Sequence, residues 1–395
     1  PSRLKANEEY MTGLSERMVG EVVAKGGCDL ISEIATPFQE IKELRVGKGF
    51  VVFLGGSGDE ARSLVRLDLK TGRHELLRRG SSLKVDARYL SKARPIHFLT
   101  TGGRTAHAFH YPPANPAFTG PKGERPPLIV LSHGGPTSQA TPTFNPTIQF
   151  WTSRGFAVVD VNYGGSSGYG RDYRRRLNGQ WGVVDIDDCV NAAKYLVAQG
   201  LADGERLAIR GGSAGGYTTL GALAFRPGVF KAGASYYGVG DLEVLARDTH
   251  KFESRYLDSL IGPYPATKAA YVARSPVHAV ERIDSALILF QGLDDKVVPP
   301  NQSQMMFDAV KAKGLPVAYL PFAGEGHGFR AAAAIKRSLE AELYFYLRMF
   351  GLTTPATTMA PAQTAAFRSV RRAAPAAVAV RAATGGTHFV QLGSF

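Results

Sequence analysis

The stretch that most constrains this chain is Gly211-Gly212-Ser213-Ala214-Gly215. It follows a short apolar run, Leu207-Ala-Ile209, and opens a helical stretch, Gly215 to Ala224. In a strand-turn-helix context, G-x-S-x-G makes a nucleophile elbow, a turn so sharp that Cβ atoms beside the serine have no room, which exposes the serine hydroxyl at the top of a sheet. A glycine-rich turn with an inert serine is the bland alternative, but it leaves the flanking strand and helix unexplained.

A serine hydroxyl attacks only when a histidine accepts its proton, and that histidine needs a carboxylate to fix its tautomer. On an α/β-hydrolase the order along the chain is Ser, Asp or Glu, then His, with the acid just beyond a later strand. Ala286 to Phe290 is such a strand, and Gln291-Gly-Leu-Asp294-Asp295 follows it. Downstream lie two histidines, His327 and His388. His388 sits beyond an Ala/Pro-rich stretch, which selects His327, in Gly324-Glu-Gly-His327-Gly-Phe. His133, His250 and His278 precede the acid and read as packing or loop residues.

An oxyanion needs two N–H donors, one from the residue after the nucleophile and one from the loop after an early strand. Those are Ala214 and, in His133-Gly134-Gly135-Pro136 after Leu128 to Leu131, Gly135. A plain turn is the alternative reading of that loop.

The rest of the chain sorts into regions. Residues 1–30 carry no clean period and are left unassigned. Within residues 31–94, four strand-like runs (Ile41 to Val46, Gly49 to Leu54, Ser63 to Leu69, His74 to Leu77) broken at glycines have the grain of one β-propeller blade. One blade cannot bury its own faces, so it implies neighbours and reads as a fragment of a propeller, a chain that starts partway through a longer protein. Residues 95–352 alternate apolar strands (Leu128 to Leu131, Phe156 to Val161, Leu207 to Ile209, Ala286 to Phe290, Val317 to Leu320) with helices (Asp187 to Gln199, Gly215 to Ala224, Gln302 to Ala312, Ile335 to Phe350). That pattern makes an α/β domain, a doubly wound and mostly parallel sheet covered on both faces. Residues 353–387, rich in Ala, Pro and Thr without an acidic residue, read as a disordered linker. Residues 388–395 end the chain on an apolar, strand-like run.

Composition removes several function classes. The 395 residues contain two cysteines, Cys28 and Cys189, too few for a disulfide framework or a four-cysteine zinc site. No apolar run reaches the roughly 18 residues of a membrane span. The net charge of +13 is dispersed in short clusters such as Arg174-Arg175-Arg176, without aromatics between them, and reads as a solvated surface with no nucleic-acid partner. The proposed chemistry needs no metal and no cofactor. No charged n-region with an apolar run opens the chain, which begins at Pro1 and reads as a processed form or a fragment. The expected location is a bacterial-type cytoplasm.

Together, Ser132-His133-Gly134-Gly135-Pro136-Thr137, Asn162-Tyr-Gly-Gly-Ser-Ser-Gly-Tyr-Gly-Arg171, Gly179-Gln-Trp181-Gly182, Gly211 to Gly216, Gln291-Gly-Leu-Asp294-Asp295-Lys-Val-Val-Pro299 and Gly326-His327-Gly328-Phe329 resemble the prolyl oligopeptidase family. The likeness is greatest to its acylaminoacyl-peptidase and dipeptidyl-aminopeptidase branch and covers about residues 35–352. The resemblance implies an α/β-hydrolase fold, a triad of Ser213, Asp294 and His327 with the first aspartate of the pair as the acid, and a propeller that limits substrates to short peptides. Many such proteins carry Arg where Gly164 stands, so that arginine's contacts do not transfer. Trp181, Gly182 and the Asp185, Asp187 and Asp188 group read as organisers of a loop and a helix start. The terminal Phe389-Val-Gln-Leu-Gly-Ser-Phe395 resembles the opening strand of a SPOR domain, which implies a peptidoglycan partner and an envelope location as the alternative to the cytoplasm.

The leading expectation is a serine peptidase that cleaves short peptides through an acyl-enzyme. A carboxylesterase on the same fold is the rival within catalysis, and the blade argues against it. A catalytically weak envelope-associated protein is the rival outside catalysis. Tyr163, Tyr236 and Tyr237 are candidate lining for the substrate pocket. The uncovered blade faces lead one to expect self-association into a homo-oligomer.

Overall fold

The computed structural model of the chain describes residues 34–248 and 255–352. The readings placed on residues 1–30, 353–387 and 388–395 lie outside the described residues, as does His250.

Strands β1 (Glu40–Gly47), β2 (Phe50–Gly56), β3 (Ser63–Asp68) and β4 (His74–Arg78) form an antiparallel four-stranded meander in chain order. Alternation sets its buried face: Val51, Phe53, Val65 and Leu67 point one way and pack with Phe38, Ile41 and Leu44. The turn from β3 to β4 is held by Asp68, whose carboxylate accepts from the backbone N–H of Lys70 and Thr71 and from the Thr71 hydroxyl. This is a propeller-like sheet, and it meets the rest of the molecule where the Phe144 N–H donates to the Ser57 carbonyl.

The second sheet has eight strands: β5 (Arg94–Thr100), β6 (Arg104–Tyr111), β7 (Leu128–Ser132), β8 (Ala157–Asn162), β9 (Leu207–Gly212), β10 (Ala232–Tyr236), β11 (Ala286–Gly292) and β12 (Val317–Phe322). Their order is β12-β11-β10-β9-β7-β8-β6-β5, parallel from β12 to β8 and antiparallel over the last two pairings. The helices are α1 (Pro146–Thr152), α2 (Arg171–Arg175), α3 (Val184–Ala198), α4 (Ala214–Phe225), α5 (Leu242–Asp248), α6 (Tyr256–Leu260), α7 (Lys268–Ala273), α8 (Asn301–Ala312) and α9 (Ala332–Met349).

The continuous apolar strands are buried on both sides, and alternate residues go to opposite cores. Leu128, Val130, Ile209 and Leu287 pack toward Leu196, Leu220, Met306 and Val310 of α3, α4 and α8. Ile129, Ala208, Ile288 and Phe290 pack toward Trp151, Phe345 and Tyr346 of α1 and α9. This is the α/β-hydrolase architecture. Three strands lie outside the sequence reading. β5 and β6 carry a mixed pattern, because only one face of that end of the sheet is deeply covered. β10, Ala-Gly-Ala-Ser-Tyr, has almost no branched or large side chains, because α4 packs so close that a Cβ on Gly233 would lie 2.8 Å from Leu223.

Chain reversal positions the site. After β8 the chain crosses to the other side of β7, so β7 and β9 become parallel neighbours with Ser132 opposite Gly211. Ligands in open α/β sheets bind at the carboxyl ends of strands beside such a switch. The loop after β7 and the turn after β9 meet there.

Candidate active site

Ser213 sits between β9 and α4 with φ 57° and ψ −122°, a conformation that side chains rarely tolerate. The surrounding glycines are forced by contact with backbone. A Cβ on Gly211 would lie 2.4 Å from Gly215, and one on Gly215 would lie 2.1 Å from the Ser132 carbonyl oxygen. The turn is clamped from β10 as well, where the Ser213 N–H donates to the Tyr236 carbonyl at 2.9 Å.

His327 lies on the loop after β12, with its Nε2 2.9 Å from Ser213 Oγ and its Nδ1 2.8 Å from Asp295 Oδ2. A carboxylate only accepts, so Nδ1–H donates to Asp295, which leaves Nε2 as the acceptor for the serine proton. The Asp295 side chain is fully buried, and its other oxygen accepts from the N–H groups of Val297 and Val298, both at 2.9 Å. Gln291 supports that loop by donating to the Val298 carbonyl while it accepts from the Ser303 hydroxyl.

Asp294, which the resemblance implies as the acid, is corrected to Asp295. The Asp294 side chain is exposed, and its N–H donates to the Glu325 carbonyl at 2.9 Å, so the residue ties two loops together through its backbone. The peptide between the two aspartates turns the first side chain to solvent and the second inward beneath the imidazole.

Glu325, absent from the sequence reading, is a buried residue that accepts from the N–H groups of Arg330 (2.8 Å) and Ala331 (2.9 Å). It closes the histidine loop onto the start of α9. The only available signal was an acidic residue two positions before His327, which order along the chain does not distinguish from a surface charge.

The tyrosines divide. Tyr237, with φ 40°, places its ring 4.9 Å from the His327 ring, edge to face, and beside Phe329. Tyr163 is corrected: it is completely buried, and its hydroxyl is committed to the Pro136 carbonyl at 2.8 Å. Tyr236 is corrected too. It faces the α9 side of the sheet, stacked on Phe290, and its hydroxyl donates to Glu342 at 2.6 Å. Neither is free to line a pocket. Tyr236 is the last residue of β10, whereas Tyr237 lies beyond the strand with positive φ and its ring turns to His327 instead.

The loop after β7 lies against the nucleophile, with a Cβ on Gly134 falling 3.6 Å from Ser213 Cβ. Gly135 has φ 118°, and a Cβ there would lie 2.7 Å from the Thr137 and Ser138 nitrogens, so only glycine fits. Around the site, buried aspartates hold loops. Asp185 accepts from the Gly182 N–H and the Thr218 hydroxyl, and burial pushes its carboxyl up to about 6. Asp188 accepts from the Gly164 N–H and the Thr100 hydroxyl. At Gly164 a Cβ would lie 2.7 Å from Val184. Among the described residues no three His, Cys, Asp or Glu side chains group as a metal site requires, and no helix is long and apolar enough to cross a membrane.

Residues 142–353 match the model of the prolyl oligopeptidase family. Dipeptidyl aminopeptidase BIII of Pseudoxanthomonas mexicana is 35% identical over 208 residues, which is 51% of this chain and 30% of that protein. The acylamino-acid-releasing enzyme of Arabidopsis thaliana is 29% identical over 215 residues, 52% of this chain and 28% of that one. Among solved structures, a puromycin-hydrolyzing peptidase of Mycobacterium tuberculosis superposes with a TM-score of 0.79 at 48% identity, covering 81% of this chain and 49% of that one. The chain thus spans about half the length of that solved relative and matches under a third of those two curated ones.

Proposed function

The chain belongs to the prolyl oligopeptidase family, and on that premise we propose that it hydrolyses short peptides through an acyl-enzyme formed on Ser213. The observation that carries this reading is the unbroken line from Ser213 Oγ through His327 to buried Asp295 at a strained elbow. As Ser213 attacks a carbonyl carbon, Nε2 of His327 takes its proton, and Asp295 stabilises the imidazolium. The N–H groups of Ala214 and Gly135 receive the oxyanion. His327 then protonates the leaving amine, and water enters with the same nitrogen as base. Tyr237, beside His327, borders the pocket for the residue before the scissile bond.

A free α-amine on the substrate is the form we favour. Identity is 48% to a peptidase named for puromycin hydrolysis and 35% to a dipeptidyl aminopeptidase, against 29% to an acylamino-acid-releasing enzyme, and puromycin is an amide of an amino acid with its amine free. With this reading go a bacterial-type cytoplasmic location and self-association through the blade. The SPOR-like tail supports the envelope and peptidoglycan alternative.

Puromycin, alanyl and acetylalanyl p-nitroanilides supply the test. The parent chain should cleave the free-amine amides, and Ser213→Ala should lose at least about a thousandfold in kcat. Equal rates for the two proteins overturn the triad, and preference for the acetylated amide overturns the free-amine specificity.

A further inference from the structure

We propose that His133 is a positioning residue for the oxyanion site: it fixes the carbonyl of Gly134 and thereby aims the N–H of Gly135. This inference rests on the acyl-transfer reading above. The half-buried imidazole of His133 packs against the loop after β8, which the proposed mechanism does not otherwise use. Its Nε2 lies 2.6 Å from Ser166 Oγ, its Nδ1 lies 2.8 Å from the Gly134 carbonyl oxygen, and its ring stacks on Tyr163 at 4.2 Å. Ser166 and Tyr163 are both completely buried.

The proton positions follow from the partners. Nδ1 also lies 3.2 Å from the Tyr163 hydroxyl, whose own hydrogen goes to the Pro136 carbonyl; a carbonyl oxygen can only accept, so Nδ1 carries the hydrogen and Nε2 accepts from the Ser166 hydroxyl. Tyr163 closes the other end of the loop by donating to the Pro136 carbonyl at 2.8 Å. In a planar trans peptide the C=O of one residue and the N–H of the next point in opposite directions. Holding the Gly134 oxygen toward His133 therefore turns the Gly135 N–H away from the imidazole. Gly134 itself packs against the turn that carries the nucleophile, 3.3 Å from the Gly212 oxygen by the position of a Cβ. Glycines at 134 and 135 leave the loop without side chains to hold it, so its orientation must be imposed from outside. Burial also keeps the His133 pKa down at about 4, so the ring stays neutral where a peptidase of this kind works.

Two substitutions separate aiming from bulk. His133→Phe keeps a stacked ring and removes the hydrogen bonds of the imidazole, whereas the side-chain amide of His133→Asn can replace the Nδ1–H donor. With a peptide p-nitroanilide, His133→Phe should lower kcat by about 100-fold or more, the scale of losing one oxyanion donor, with KM changed little. Inhibition by a peptide aldehyde, whose adduct carries the oxyanion, should weaken by the same factor as kcat/KM falls. His133→Asn should recover at least tenfold of the loss. Ser166→Ala, which frees the ring to take the other tautomer, should lower kcat in the same direction and serves if the Phe variant does not fold. The proposal is overturned if Phe and Asn variants lose equally, if KM rises while the aldehyde affinity follows it, or if Ser166→Ala leaves kcat intact. A parent chain whose activity does not depend on Ser213 would instead remove the reading beneath it.

Discussion

Two adjacent aspartates occupy one turn, and their environments assign them opposite work. Asp295 is buried with both oxygens engaged, while Asp294 projects into solvent. Asp295→Asn should therefore lower kcat by about four orders of magnitude, because the amide no longer selects the His327 tautomer that accepts from serine. Asp294→Asn should leave kcat within a few-fold of the parent, and steady-state kinetics of the pair distinguishes them. A second residue-scale outcome concerns His110, whose pKa burial lowers from 6.5 to about 4. Its Nε2 is buried without a hydrogen-bond partner. Between pH 6.5 and 4 the unfolded chain protonates this imidazole and the folded chain does not, so stability from this residue falls as the pH falls through that window. Asp185, whose carboxyl is raised, works in the opposite sense and masks the trend in the parent. The difference between His110→Phe and the parent isolates it: the variant should gain roughly 3 kcal/mol relative to the parent from pH 6.5 to 4, measured by urea unfolding at each pH.

At the scale of elements, the site is a meeting of four strand ends. β7 brings the glycine loop, β9 the serine, β11 the acid and β12 the histidine, and their parallel pairing leaves all four carboxyl ends on one edge. The tightest of these joints is the contact of α4 with the end of β7, where Gly215 faces the Ser132 carbonyl. Gly215→Ala should cost at least the about 1–3 kcal/mol typical of overpacking, since the atom it strikes is backbone held by two strands and cannot rotate away. Gly314→Ala, where a Cβ meets nothing within 4 Å but φ is 78°, should cost only about 1 kcal/mol of backbone strain. Denaturant midpoints of the two variants test the ordering.

Across the whole molecule the two sheets are unequal. The blade's core comprises four buried side chains, while the large sheet is covered on both faces by two extensive clusters. Sub-global openings begin where buried apolar contacts are fewest. Amides of β2 and β3 should therefore exchange with deuterium well before those of β7 and β9, in a single slow-labelling experiment. Hydrolysis of a small ester, which needs only the elbow, His327 and the glycine loop, should persist at denaturant concentrations that already open the blade. Loss of ester turnover together with blade protection would show the two to be one cooperative unit.

Local chemistry in the amino-acid sequence was sufficient for the elbow, the order of nucleophile, acid and base, the glycine loop and the alternation of strands and helices. Each rests on a pattern that short-range sterics enforce, such as glycines where no Cβ fits or apolar runs where a strand is buried on both faces. Three-dimensional packing decided which of two neighbouring aspartates turns inward, because that depends on the Val297 and Val298 amides and on Glu325 arriving from another loop. It also decided that Tyr163 and Tyr236 are held inside the fold while the ring of Tyr237 lies beside His327. Burial and hydrogen-bond partners arise from residues far away along the chain, Pro136 for Tyr163 and Glu342 for Tyr236. The same holds for His133, a plain loop histidine until Ser166 and Tyr163 pack against it and the Gly134 carbonyl takes the hydrogen of its Nδ1.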